Sequence, residues 1–157
     1  MIFYGLSSEQ ELNNHIHRAC EIINNKNVSI ASKFLLEIAA AETGLGSVRD
    51  RHFEQGKGVF QFDSVGFVDT KIRSQRFVKP LISEFNIDIN RVAFSDLEYS
   101  PLVGAIWCRL KVYLMPAIPM TRAERAAMWK KYYNSELGSG TVEHYISMAE
   151  KFIGEEA

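Results

Sequence analysis

A run of helix-start signals constrains this chain most, each standing just ahead of apolar residues at helical spacing. Ser8 with Glu11 has capping-box spacing and opens a segment that puts Leu12, Ile16, Ala19, Ile22 and Ile23 on one face. Asn24, Asn25 and Asn27 break it, and Ser29 can cap a second helix, SIASKFLLEIAAAET, with Phe34, Leu35, Ile38 and Ala41 inward and Gly44 and Gly46 at its end. Ser100-Pro101 reads as an N-cap followed by proline at the first helical position, ahead of a stripe of Val103, Ile106, Leu110 and Leu114 that Pro116 and Pro119 stop. Thr121 with Glu124 makes another capping box before RAAMWKKYYN. Ser139 or Thr141 caps a last helix with Val142, Tyr145, Ile146 and Ala149 inward. Between these, Asp69 to Asn86 predicts one or two helices interrupted at Pro80, and the short run VFQFD predicts a small strand or extended turn. The expected fold class is mainly α, a single domain over 1–157 with one minimal β element.

Composition narrows the function classes. Hydrophobic residues at 46% and charged residues at 24% exclude a disordered or fibrous chain. Lys+Arg at 18 against Asp+Glu at 19 leaves a net charge of -1, without the basic excess of a protein that lives on nucleic-acid phosphates. No apolar run approaches a membrane span, and the start MIFYGLSSEQELNN has no basic n-region, long apolar core or cleavage site, so a protein without a secretory signal is expected. Cys20 and Cys108 lie in apolar helical stretches and are expected as buried free thiols. His15, His17, His52 and His144 show no metal-ligand spacing, and no metal or cofactor is expected.

Glu42 is the first candidate for chemistry. It stands four residues after Ile38 and so shares the face that buries Ile38 and Leu35, in the last helical turn. Partial desolvation and the negative end of the helix dipole both favour the protonated acid there, which suits a general acid acting on a leaving oxygen. A solvated glutamate at a helix end satisfies the same spacing. Gly56 and Gly58 ahead of VFQF allow close backbone approach to a ligand, and the Gln61 amide can both donate to and accept from a sugar hydroxyl or acetamido group; a tight turn without a ligand fits equally. Asp63, with Asp50 as a weaker candidate, could be a second carboxylate of the kind glycoside hydrolysis uses. Tyr132, Tyr133 and Asn134 could line a sugar cleft, or serve as core and helix cap.

Taken in order, these blocks resemble one family. LLEIAAAETGLG resembles the catalytic-Glu helix of the soluble lytic transglycosylases and goose-type lysozymes. GKGVFQFD is similar to their Gly-x-x-Gln block, with Gln61 at the Gln position and Phe60 in place of the usual Met. YYNSELGSGTVEHYI is similar to their Tyr-Asn-x-Gly block, with Ser135-Glu136-Leu137 lengthening the turn, and SPLVGAIWCRLKVYL fits the intervening helix. Asp63 after Gln61, and Asp50-Arg51 in the preceding loop, are similar to the goose-type pattern.

The resemblance, from about Leu35 to Tyr145, implies a lysozyme-like domain that cuts peptidoglycan glycan strands between N-acetylmuramic acid and N-acetylglucosamine. Glu42 would be the acid and then the base, while Gln61, Tyr133, Asn134 and Gly58 would hold the sugars. Either the muramic C6 hydroxyl attacks, giving a 1,6-anhydro product, or Asp63 or Asp50 activates water. The SVGF after Asp63, where the goose-type pattern continues with polar residues, favours the anhydro product. Without a leader the expected setting is a phage endolysin or virion-associated lysin, made in the host cytoplasm, monomeric, acting on the wall and meeting other virion proteins. The alternatives from other classes are a non-catalytic wall-binding module of the same fold and a helix-turn-helix nucleic-acid binder. Against the latter, TVEHYISMAEKF carries Glu143 and Glu150 with Lys151 as its only lysine or arginine.

Overall fold

The computed structural model describes residues 2–48, 56–134 and 139–156. Among these it is mainly helical, with seven α-helices. Helix α1 (Glu9–Ile22) starts where the sequence predicts, with the Ser8 side chain accepting from the Glu11 N–H. Glu11 does not complete a box with Ser8: its carboxylate takes the Ser7 N–H and hydroxyl instead. Helix α2 (Val28–Thr43) begins one residue before Ser29, and its start carries no side-chain cap. A single 3₁₀ turn over Asn25–Asn27 leads directly into it, so Ser29 already lies inside the helix. Gly44 closes α2 in the left-handed region at φ 56°, where glycine is unstrained.

One further expectation needs correction. The segment after the loop forms α3 (Ser64–Arg73) and α4 (Val78–Phe85), and the break falls at Ser74, not at Pro80. Pro80 is the third residue of α4, a position whose N–H has no partner within the helix, so proline costs nothing there. The expected β element is reduced to an isolated antiparallel bridge between Lys57 and Phe62, and the described residues form no sheet.

Helix α5 (Pro101–Tyr113) keeps its predicted start, with Ser100 accepting from the Val103 N–H and Pro101 in the first turn. It is buried on nearly every side, because α1, α2, α3 and the 3₁₀ turn over Phe94–Glu98 all pack on it. Trp107 ties α3 to it, stacking on Phe67 at 4.8 Å and donating its indole N–H to the Phe67 carbonyl at 3.1 Å. Helix α6 (Arg122–Met128), capped by Thr121, runs on into a π-helical turn over Trp129–Asn134. Helix α7 (Val142–Phe152), capped by Thr141, packs Tyr145 and Ala149 into the core beside α2. Cys20 and Cys108 are buried free thiols, as expected. Among the described residues no helix is long and apolar enough to cross a membrane.

Candidate functional site

The C-terminal end of α2 carries Glu42 half-buried, one residue before the helix ends. Its carboxylate Oε2 accepts the Trp129 indole N–H at 3.1 Å. Trp129 is itself buried, with its ring 5.4 Å from that of Tyr145, so the donor is held by packing from α7. Thr43, the next residue, is buried and fixes the local backbone: its hydroxyl donates to the Val59 carbonyl at 2.7 Å and accepts the Gly46 N–H at 3.0 Å. One threonine thus fastens the end of α2 to the 57–62 turn.

That turn is a tight loop closed by paired hydrogen bonds between Lys57 and Phe62. Gly58 sits at φ 78°, and a Cβ there would collide with the Leu97 carbonyl. Gly58→Ala should therefore cost at least about 1–3 kcal/mol from backbone strain and collision, measured as a lowered midpoint of thermal unfolding. An unchanged midpoint would mean the turn does not hold this shape. Gln61 turns its amide back to donate to the Gly58 carbonyl at 2.9 Å, so its side chain closes the turn. The Phe60 carbonyl accepts the Tyr133 hydroxyl at 2.6 Å, and Gly104 lets the Phe60 ring approach α5, since a Cβ there would stand 3.3 Å from it.

Tyr133 and Asn134 both come to this region from the π-helical turn. The Tyr133 ring meets Phe62 edge-on at 5.7 Å, and burial, reinforced by the neighbouring Cys108 and Glu42, pushes its hydroxyl well above the ordinary tyrosine range. It stays a neutral donor. Asn134 accepts from Lys130 Nζ at 2.9 Å and lies, with Trp129, against Gly140, where a Cβ would meet them at 2.8 and 2.5 Å. Tyr132 points outward and is exposed. Asp63 is exposed and caps α3, its Oδ1 accepting the Gly66 N–H at 2.6 Å. Asp50, like Arg51 and Ser135-Glu136-Leu137, lies outside the described residues. Asp63 follows Phe62, whose ring meets Tyr133, while Glu42 is bonded to Trp129, four residues before Tyr133.

The main buried charge of α2 is Glu37, which the apolar spacing around Glu42 does not single out. It is 2% exposed. Its Oε1 accepts from Arg125 Nε at 2.7 Å and the Tyr145 hydroxyl at 2.7 Å, and its Oε2 from Arg122 Nε at 2.8 Å and Arg125 Nη2 at 2.9 Å. Burial raises the Glu37 carboxyl, but these donors outweigh it and hold it below the ordinary carboxylate range. Arg125 also donates to Glu156 at 2.6 Å, and Arg122 to the Gly154 carbonyl at 2.6 Å, which ties the end of the chain to α6. The visible signal was a glutamate inside an unbroken apolar run, FLLEIAAA, paired with arginines three apart in TRAER.

Trp129 was the other residue hidden from the sequence. It precedes Tyr133 by one helical turn, yet its partner is 87 positions away. Compared with models of protein families, with characterised proteins and with solved structures, the chain has no significant match. What the geometry offers chemically is one half-buried carboxylate held by an indole donor, near a buried turn and a neutral tyrosine.

Proposed function

We propose that the protein cleaves the glycan strand of peptidoglycan between N-acetylmuramic acid and N-acetylglucosamine by the lytic-transglycosylase route. Glu42 protonates the glycosidic oxygen as the bond to the muramic C1 breaks. The resulting carboxylate then takes the proton of the muramic C6 hydroxyl as that oxygen attacks C1, so the proton returns to Glu42 and a 1,6-anhydro ring closes. The intramolecular attack gains its advantage from proximity, provided water is kept from C1.

The observation that carries this reading is the contrast between the two carboxylates. Glu42 is half-buried at the end of α2, where desolvation favours the protonated acid, and one of its oxygens is held by the Trp129 indole N–H. Asp63 is exposed and already committed as the cap of α3, its Oδ1 on the Gly66 N–H at 2.6 Å. The partly exposed side chains of Tyr133, Asn134 and Gln61 would then be the groups against which the sugars lie.

Asp63→Asn separates this route from hydrolysis. Asparagine can still cap α3, so clearing of purified peptidoglycan should fall less than about tenfold, within the roughly 1 kcal/mol scale of a cap change. A loss of a hundredfold or more with folding intact would assign Asp63 the water-activating role and make the enzyme a hydrolase.

A further inference from the structure

The turn after α7 carries a carboxylate to the buried arginines of α6. Gly154 stands in it at φ 114°, a conformation that residues with a side chain rarely adopt, and a Cβ there would meet nothing. The backbone path, not packing, therefore calls for glycine. The Gly154 carbonyl accepts from Arg122 Nη1 at 2.6 Å. Two residues on, Glu156 Oε2 accepts from Arg125 Nη2 at 2.6 Å and Oε1 from the Arg122 main-chain N–H at 2.9 Å. Arg125 is 1% exposed, whereas the Glu156 side chain keeps 35% of its surface in solvent. A buried cation is thus closed off by a carboxylate that water still reaches. The Arg122 N–H, with Arg125 beside it, holds the Glu156 carboxyl below the ordinary carboxylate range.

A cavity of about 180 Å³ opens at this point, with Lys33, Arg122 and Arg125 on its border against Glu37, Glu155 and Glu156. Glu37 is committed on the inner side, both of its oxygens taken by the two arginines and by Tyr145. One carboxylate does not balance two guanidinium groups, and an unbalanced buried cation is unfavourable, so Glu156 supplies the second negative charge. Guanidinium nitrogens bond carboxylate and phosphate oxygens alike. We infer that Arg122, Arg125 and Lys33 form an oxyanion-binding site, in which the chain's own Glu156 sits as a tethered ligand that a phosphate or carboxylate group from outside can replace. None of these residues belongs to the candidate site around Glu42, so the inference does not rest on the proposed function.

The test is a titration with sodium phosphate, and in parallel with sodium acetate, against sodium chloride at matched ionic strength. It compares wild type with Glu156→Ala and with Glu156→Gln, a second variant should alanine disturb the turn. The thermal unfolding midpoint and the ¹H–¹⁵N signals of the Arg125 Nε–H and the Arg122 amide are the readouts. Each variant should start with a midpoint below that of wild type, and phosphate should raise it saturably while shifting both arginine signals. In wild type the same shifts should need at least about fivefold more phosphate, because a tethered carboxylate competes at high effective concentration. Lys33→Met added to Glu156→Ala should weaken the phosphate response. A response to phosphate alone assigns the site to phosphate groups, and a response to acetate as well extends it to carboxylates. The inference is overturned if neither anion moves the variants more than chloride does, or if the midpoint rises while the arginine signals stay still. It is overturned equally if wild type responds at the same concentrations as the variants, or if Lys33→Met changes nothing.

Discussion

Glu42→Gln should abolish clearing of peptidoglycan while the protein unfolds at the same temperature as wild type. The substitution is nearly isosteric, and an amide oxygen can still accept the Trp129 indole N–H, so the packing at the end of α2 keeps its hydrogen bond. What is lost is the titrating proton. General acid–base catalysis contributes about 10²–10⁴-fold, and in the proposed route one group serves both steps, so a rate loss of at least a hundredfold is expected. Clearing assays and zymograms on equal amounts of folded protein measure it directly. Activity within a few fold of wild type would remove Glu42 from the chemistry.

The largest stability effect should come from Glu37→Gln. Two arginines, Arg122 and Arg125, meet on the Glu37 carboxylate, with Arg125 almost wholly buried. Removing the negative partner of a buried pair costs about 3–5 kcal/mol, because the remaining charge is left uncompensated in a poorly solvated place. For a chain of this size that is a fall of roughly 6–20 °C in the midpoint of thermal unfolding. The pH dependence follows from the direction of the Glu37 shift. Its carboxyl is held down in the folded state, so the unfolded chain takes up the proton first. The stabilisation is therefore complete above the unfolded carboxylate value of about 4.3 and is lost as pH falls from there through the lower folded value. Thermal scans between pH 6 and pH 3 should show wild type losing stability more steeply than Glu37→Gln. Parallel curves would contradict the assignment of the buried charge.

Glu37 also bears on the site at a distance. It lies on α2 five positions before Glu42, while Arg122 and Arg125 lie on α6 just ahead of Trp129. The buried ion cluster therefore locks together the two helices that bring the candidate acid and its indole donor into contact. A less stable Glu37→Gln protein should lose activity only as far as it loses fold, in contrast to Glu42→Gln.

What the sequence revealed and what it hid follow from the range of the interactions. Ser8, Ser100, Thr121 and Thr141 were legible as helix caps because each bonds a backbone N–H three residues on, within the local window. Ser29 and Pro80 misled because a flanking 3₁₀ turn shifts a helix start without leaving a periodic trace, and both residues are tolerated in a first turn. The stretch NIDINRVAFSDLEY forms two short 3₁₀ turns, Ile89–Arg91 and Phe94–Glu98, each burying a single residue, which leaves no periodicity to read in the sequence. At the site, the placing of Glu42 at the end of an apolar face was legible from one helix alone. The Trp129 donor, the Thr43 tie to Val59 and the Tyr133 bond to Phe60 were not, since each joins elements separated in the chain. Gln61 was legible as a polar group at a glycine turn, but only the folded turn shows its amide bonded back to Gly58.

The most direct test of the central claim is mass spectrometry of the soluble fragments that wild-type protein releases from purified peptidoglycan. Attack by the muramic C6 hydroxyl predicts disaccharide fragments ending in 1,6-anhydro-N-acetylmuramic acid, one water lighter than the hydrolysis product and resistant to borohydride reduction. Fragments with reducible muramic ends would contradict the transglycosylase route, and release of no glycan fragments at all would contradict glycan cleavage itself.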